Sequence, residues 1–467
     1  MFQTAPEPAE ILAPMPCRRL PASAMLGVMS DVVTPDFSDT PVWWNDTPPR
    51  ALPLTPLPAS TDVAVIGSGY TGLSAALTLA RGGRGVHVLE AEHPGYGAST
   101  RNSGYVGFQL RNKLVPLMER IGAAPALAMA REAIAAHRHV VAFIEREQIA
   151  CKFNYCGRYI PAHTPEVLES LKREAELMTR EFGIAAEAVP KSREREEIGT
   201  DFFHGGLRVE MSGALHPGLY HAGLLDRTLA SGAVVHAHTP ATEIERLREG
   251  RFRVTTARGP IEVGAVILAT NGYTGKGAPW LARRMIPVNA GVSISEPLSD
   301  ERIASVMPKG RTTIDTRHNP LSFRVYPGGG RIQFSAARGL FARDHRQKAR
   351  EMHAAFVAVF PHMNDMRIAH CWTGQMGFTF DELPHIGLHD GVHYAMGYCG
   401  SGVHMASWLG HKLGLRVLGS PDAATAFDGR ELQSRWYYRG RPWFLPAYVH
   451  WTNFKDKRDL ARARRST

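Results

Sequence analysis

Gly67-Ser68-Gly69-Tyr70-Thr71-Gly72 places three glycines at the spacing of a phosphate-cradling turn, and a carboxylate, Glu90, stands downstream of it. The chemistry this set can do is to bind a dinucleotide. Gly67 permits a tight turn, Gly69 lets a pyrophosphate approach the backbone, and Gly72 lets a helix pack on a strand. An acid about 20 residues further on holds a ribose diol and repels a 2′-phosphate. Tyr70 and Thr71 open the helix, where unpaired N–H groups and the dipole favour negative charge.

The elements that must position these groups are legible around them. Val63 to Ile66 is a buried apolar strand, Leu73 to Arg81 has the composition of a helix lying on a sheet, and Val86 to Leu89 is a second strand ending at Glu90 and Ala91. A lone glycine pattern is weak and can be a packing turn; strand, turn, helix, strand and acid in order point to a dinucleotide. A similar arrangement recurs late in the chain. Val392 to Met396 reads as a strand feeding Gly400, Ser401 and Gly402, with a helix from about Val403. Such a turn leaves N–H groups bare at a helix start, able to stabilise charge developing on a bound ring, although a plain strand-to-helix turn has the same sequence.

The residues after Glu90 distinguish one dinucleotide from another. Gly97-Ala98-Ser99-Thr100-Arg101-Asn102-Ser103-Gly104 is a second polar, glycine-containing loop that an NAD fold does not need. It resembles the GASGRNGG loop of the FAD-dependent amine and D-amino-acid oxidase superfamily, in particular the gamma-glutamylputrescine oxidoreductase-like branch, with Thr100 and Ser103 in place of two glycines. Three further segments match in order: His216-Pro217 and the helix and strand leading to Ala241; the apolar strand from Ala265 ending in Ala269-Thr270-Asn271-Gly272; and Asp381-Glu382-Leu383-Pro384-His385-Ile386-Gly387 before Tyr394 to Val403.

The resemblance implies FAD, held without a covalent bond, by the first turn, Glu90, Ala91, the loop residues Ala98, Ser99, Arg101, Asn102 and Gly104, then Ala241, Thr270 to Gly272, and Gly400 to Val403. It also implies hydride transfer from the carbon next to nitrogen of an amine or amino acid, giving an imine that hydrolyses, with hydrogen peroxide formed if oxygen is the acceptor. The catalytic candidates are positioning groups, because no general base need be visible in such chemistry. Arg324, on a strand of the form FRVYP with Arg331 starting its partner, is either a bidentate carboxylate clamp or a brace within the sheet. His404 falls where sarcosine-oxidase-like relatives carry a carboxylate-holding lysine, or is a helix-start histidine without a ligand. Trp372 and Gln375 border the flavin or belong to the core. Tyr105, Phe108, Tyr326 and Tyr398 are candidates for an aromatic cage around an amine.

Two departures bear on mechanism. The oxygen-activating lysine of sarcosine-oxidase-like relatives aligns at Gln333, and no lysine occupies Arg331 to Arg338. This makes a dehydrogenase passing electrons to a quinone or carrier protein the alternative to an oxidase. The cysteine that binds flavin covalently in those relatives aligns near Gly374, three residues from Cys371. A flavin monooxygenase and a redox-silent flavoprotein are more distant alternatives, the former disfavoured because GYCGSGV stands where hydroxylases carry a GDAAH-like segment.

Composition suits a globular enzyme: 467 residues, 44% hydrophobic and 21% charged, with five cysteines and no metal-like CxxC. An odd cysteine count without such spacing reads as free thiols in a reducing compartment, so the cytoplasm is expected. No apolar run reaches the length of a membrane span. The net charge of +10 comes partly from a basic tail between Lys455 and Arg465, read as a solvated end and not as a nucleic-acid site.

The expected fold is α/β: an FAD-binding Rossmann-like domain of the glutathione-reductase type (60–145, 205–275 and 378–425) interleaved with a mixed, mostly antiparallel substrate domain (146–204 and 276–377). Residues 1–59 read as a disordered extension with a proline-rich connector, Met29 being a natural start, and 426–467 as a C-terminal extension. The periodicity predicts helix over 114–148 and 165–182, and strands over Cys151 to Tyr159, Pro287 to Ser295, Ser322 to Tyr326 and Arg331 to Ala336.

Overall fold

The computed structural model describes residues 32–336 and 342–466. The upstream proline cluster, Cys17 and Met29 lie outside them. Among the described residues the strands form two large sheets. The first runs in the spatial order 241–246, 252–256, 259–268, 60–66, 86–89, 234–236, and the hairpin of His385–His389 and Val392–Met396 joins it beside Gly259–Leu268. Its centre is parallel: Ser60–Ile66 lies between Gly259–Leu268 and Val86–Leu89. Val63 to Val65 are almost wholly buried, because helices cover one face and Phe252, Leu281 and Met396 pack on the other.

The helices Tyr70–Arg81 and Gly402–Val417 lie against one another on the first face. Their approach requires small residues, since a Cβ on Gly410 would come 2.3 Å from Thr71 O. Gly72 is tighter still: a Cβ there would stand 1.9 Å from Gly67 O, so strand, turn and helix close only around glycine.

The second sheet has nine strands and is mostly antiparallel, with Ile286–Ser295 between Ile332–Ala336 and Ile368–Phe378. Phe323 and Phe334 face Phe356 and Phe360 beneath the helix His345–Val357, which leaves the opposite face of the sheet for the cavity.

The structure corrects several expectations. The segment before the first sheet is not all connector: Val33–Ser38 pairs in parallel with Ile368–Phe378, and Trp43, wholly buried, stacks on Tyr326. Gly206–Val209 pairs with Arg158–Pro161 and Ala186–Val189 in the second sheet, although it falls within 205–275. The strand expected from Cys151 begins only at Arg158. The helical stretch breaks at Gly122 (φ 91°) into Leu114–Ile121 and Ala123–Arg146. The basic tail is the helix Leu445–Ser466, anchored by its buried Asp456.

Candidate active site

One cavity of about 1270 Å³ is lined from both sheets, larger than a drug-sized ligand needs. At one end the Glu90 carboxylate accepts hydrogen bonds from Ser68 N (2.8 Å) and Ser68 Oγ (2.6 Å), which join the acid to the glycine turn, and from Glu92 N (3.1 Å). The helix at Tyr70 starts without a side-chain cap from Gly69; Tyr70 N donates to Ser99 Oγ at 2.9 Å, which ties the second polar loop to the first turn. The helix at Gly402 likewise has no side-chain cap from Ser401, and nothing lies within 4 Å of where a Gly402 Cβ would be. Thr71 Oγ1 and Tyr398 OH hydrogen-bond at 2.7 Å and hold the two helix starts together. A glycine turn joined to an acid, and a helix start at Gly402 with no side-chain cap and open space beside it, both on one cavity, fit a dinucleotide cofactor.

The positions read as cofactor contacts line this cavity except Gly72, Gly272 and Ser401. Gly72 serves the packing described above, and Gly272 lies against the Met376–Gly377 backbone.

The five catalytic candidates do not line it. Arg324 is buried, and its Nη1 donates to Ser103 O (2.9 Å), Gly104 O (3.1 Å) and Leu215 O (3.0 Å) while Nε donates to Val325 O (3.1 Å). It braces the flavin-loop backbone against the second sheet, and burial pulls its pKa down to about 10. His404 points to His137 and Arg158, and burial holds its ring down to about 3, so it is neutral and unsuited to hold an anion by charge. Gln333 is wholly buried. Trp372 donates from Nε1 to Arg101 O (3.0 Å) inside a cluster with Trp43, Val292 and Ile294, and Gln375 Nε2 donates to Gly272 O (2.6 Å). Of the aromatic candidates, Tyr105 and Tyr398 line the cavity; Phe108 and Tyr326 do not. Gly374 and Met376 line it too, and strand alternation puts Cys371 on the other face, in the phenylalanine core, with its thiol pushed up to about 11 by burial.

Part of the wall escaped the sequence reading. Tyr437, Phe444, Leu445, Tyr448 and Val449, all from the C-terminal extension, line the cavity beside Phe378, Phe380, His318 and Asn319. The available signal was the density of aromatic residues between Trp436 and Phe454, which a solvated tail does not need.

Comparison with known proteins agrees with this geometry. Residues 62–414 match the FAD dependent oxidoreductase (DAO) family. The chain is 28% identical over 382 residues to a probable oxidoreductase, OrdL, of Rhizobium meliloti (81% of this chain, 87% of the relative). It is 28% identical over 368 residues to the gamma-glutamylputrescine oxidoreductase of Escherichia coli (78% and 85%). Among solved structures, glycine oxidase from Geobacillus kaustophilus superposes with a TM-score of 0.63 at 19% identity, covering 81% of this chain and all of the other. L-proline dehydrogenase from P. horikoshii gives 0.65 at 18%, covering 80% and 96%. Among the described residues no helix is long and apolar enough to cross a membrane. The chain belongs to the FAD-dependent DAO family and is an FAD-dependent oxidoreductase.

Proposed function

We propose that this member of the DAO family oxidises a primary or secondary amine, or an amino acid, to an imine that then hydrolyses to a carbonyl compound. The observation that carries the reading is a single cavity that joins the dinucleotide turn to a compartment walled by Tyr105, Phe378, Phe380, Phe444 and Tyr448. When bound there, FAD supplies the two-electron acceptor for a hydride from the carbon next to nitrogen. The protein's task is then to bind and orient: aromatic faces receive the amine, the apolar wall excludes water, and the uncapped start of the helix at Gly402 favours negative charge beside it. Two relatives support the substrate class by their names, the E. coli gamma-glutamylputrescine oxidoreductase and the glycine oxidase of Bacillus licheniformis.

The test is anaerobic mixing of the yellow protein with a panel of amines and amino acids. Bleaching of the visible absorbance, with one carbonyl product per flavin, is expected. A flavin that dithionite bleaches and no amine does would overturn the reading.

We assign FAD as non-covalent, because Cys371 lies on the far face of its strand, so acid precipitation should leave the colour in the supernatant. Oxygen is the acceptor in the first reading, in the cytoplasm. A dehydrogenase using a quinone or carrier is the second, favoured by the absence of lysine between Arg331 and Ala336 and by the state of Arg101. That residue is held between the rings of Trp44 (4.8 Å) and Tyr96 (4.7 Å) and donates to Tyr96 O (2.7 Å). Turnover with a phenazine dye far exceeding oxygen consumption would select the second.

A further inference from the structure

We infer that the face carrying Trp436, Trp443, Trp451 and Phe454 docks the protein on an anionic phospholipid bilayer. The rings enter the headgroup boundary and the neighbouring basic side chains rest on the lipid phosphates.

Among the described residues, ten large hydrophobic side chains are exposed, and six of them fall between Trp436 and Phe454. Trp436 is 90% exposed, Trp443 68%, Phe454 63% and Trp451 51%. They are not scattered: ring centroids stand 5.6 Å apart for Trp436 and Tyr437, 6.3 Å for Tyr437 and Trp443, and 6.0 Å for Tyr448 and Trp451. Single exposed apolar residues are ordinary, whereas a cluster marks a surface that meets something. The helix Leu445–Ser466 does not cover it, because the buried side of that helix is Thr452, Asp456 and Ala463. Trp451, Phe454, Arg458 and Arg465 are exposed at intervals of three, four and seven residues, which puts them together on its outward face. This whole segment lies beyond the residues, 62–414, that match the family.

Charge and ring type identify the occupant. Between Arg435 and Arg465 there are nine basic residues and two acidic ones. Of the two acids, Asp456 is buried on the N–H groups of His318 and Asn319, and Asp459 stands beside Arg458 at 3.4 Å. An anionic surface complements that excess. Tryptophan and tyrosine place an apolar ring and a polar edge at the boundary between lipid and water, and lysine and arginine reach from there to the phosphates. Lys455 shows the pairing in place, its Nζ 3.8 Å from the centroid of the Trp451 ring. A second copy of the chain fits less well, since a two-fold interface sets the same charges against each other. Single-stranded nucleic acid asks for rings and charges alternating along a groove, whereas here the rings lie before residue 455 and most of the charges after it. Tyr437 and Tyr448 belong both to the patch and to the cavity wall, so docking brings that wall to the bilayer surface.

The experiment mixes the oxidised, FAD-loaded protein with vesicles of phosphatidylcholine containing phosphatidylglycerol, or of phosphatidylcholine alone, and reads cosedimentation and tryptophan emission. Partition into the anionic vesicles should be about tenfold stronger or more, weaken with added salt, and shift the emission to the blue. The double variant Trp451→Ser, Phe454→Ser should lose the blue shift and most of the binding, and Arg458→Glu, Arg465→Glu should lose the preference for anionic lipid. These four side chains do not line the cavity, so flavin content and its bleaching should stay as in the wild type. Equal partition into the two kinds of vesicle, or none, would overturn the docking surface. So would tighter binding of a single-stranded oligonucleotide than of anionic vesicles, or a wild-type dimer that the Trp451→Ser, Phe454→Ser variant splits into monomers. If a variant does not fold, the wild-type vesicle comparison still decides. Docking is independent of the amine-oxidising reading, since no substrate enters the measurement.

Discussion

The carboxylate of Asp456, in the C-terminal helix, accepts a hydrogen bond from the backbone N–H of His318 at 2.8 Å, and a second reaches it from Asn319 N at 3.1 Å. Asn319 Nδ2 returns the link by donating to Thr452 Oγ1 and Asn453 Oδ1, each at 2.9 Å. These contacts fasten a segment beyond the family match to a loop that lines the cavity. Hydrogen bonds to a charged acceptor contribute roughly 1.5–3 kcal/mol, so Asp456→Ala should loosen the wall made by Leu445, Tyr448 and Val449. The expected result is a severalfold higher KM for the best substrate with FAD content intact. An unchanged KM would show that the helix does not shape the substrate compartment.

Glu90 accepts two hydrogen bonds from Ser68 in the turn that faces the cofactor and a third from Glu92 N, so Glu90→Ala removes both the acid and the order it imposes on Ser68. FAD should bind at least tenfold more weakly, a loss of about 1.4 kcal/mol, as read by flavin retained on dialysis. Gly72→Ala should retain none, because its methyl would fall on Gly67 O.

Arg324→Lys is expected to act on stability. A lysine cannot reach the three carbonyls that Nη1 serves, and leaving buried acceptors unmet costs about 2 kcal/mol or more. Denaturant unfolding should show that loss, while KM per flavin stays unchanged. A raised KM at full stability would return Arg324 to substrate binding.

His404 makes stability pH-dependent. Burial lowers its ring to about 3. Unfolded histidine titrates near 6.5, so below that value the unfolded chain binds a proton the folded chain refuses. The stabilisation is complete above about pH 6.5 and falls as pH drops toward the folded value, by up to about 1.4 kcal/mol per pH unit. His139, also held to about 3, adds to the same slope. His404→Leu should reduce the slope between pH 6.5 and 4.5 by up to one proton in denaturant titrations.

What is local was legible in the linear chain. The turn from Gly67 to Gly72 needs glycine for contacts within a few residues of itself, the acid ending the next strand is fixed by the length of the helix between them, and the apolar runs of Val63 to Ile66 and Ala265 to Leu268 are fit only for a parallel sheet covered on both faces. Only the fold reveals which charged side chains are already engaged. Arg158 and Arg324 both lie on strands of one sheet, yet three carbonyls from distant parts of the chain meet Nη1 of Arg324, and among the described residues no acceptor meets Arg158. Nor does composition reveal that a basic, aromatic tail folds back over residues 318–320, since that depends on a buried Asp456 meeting backbone N–H groups far away in sequence. Side-chain engagement is set by non-local neighbours, which a linear pattern does not contain.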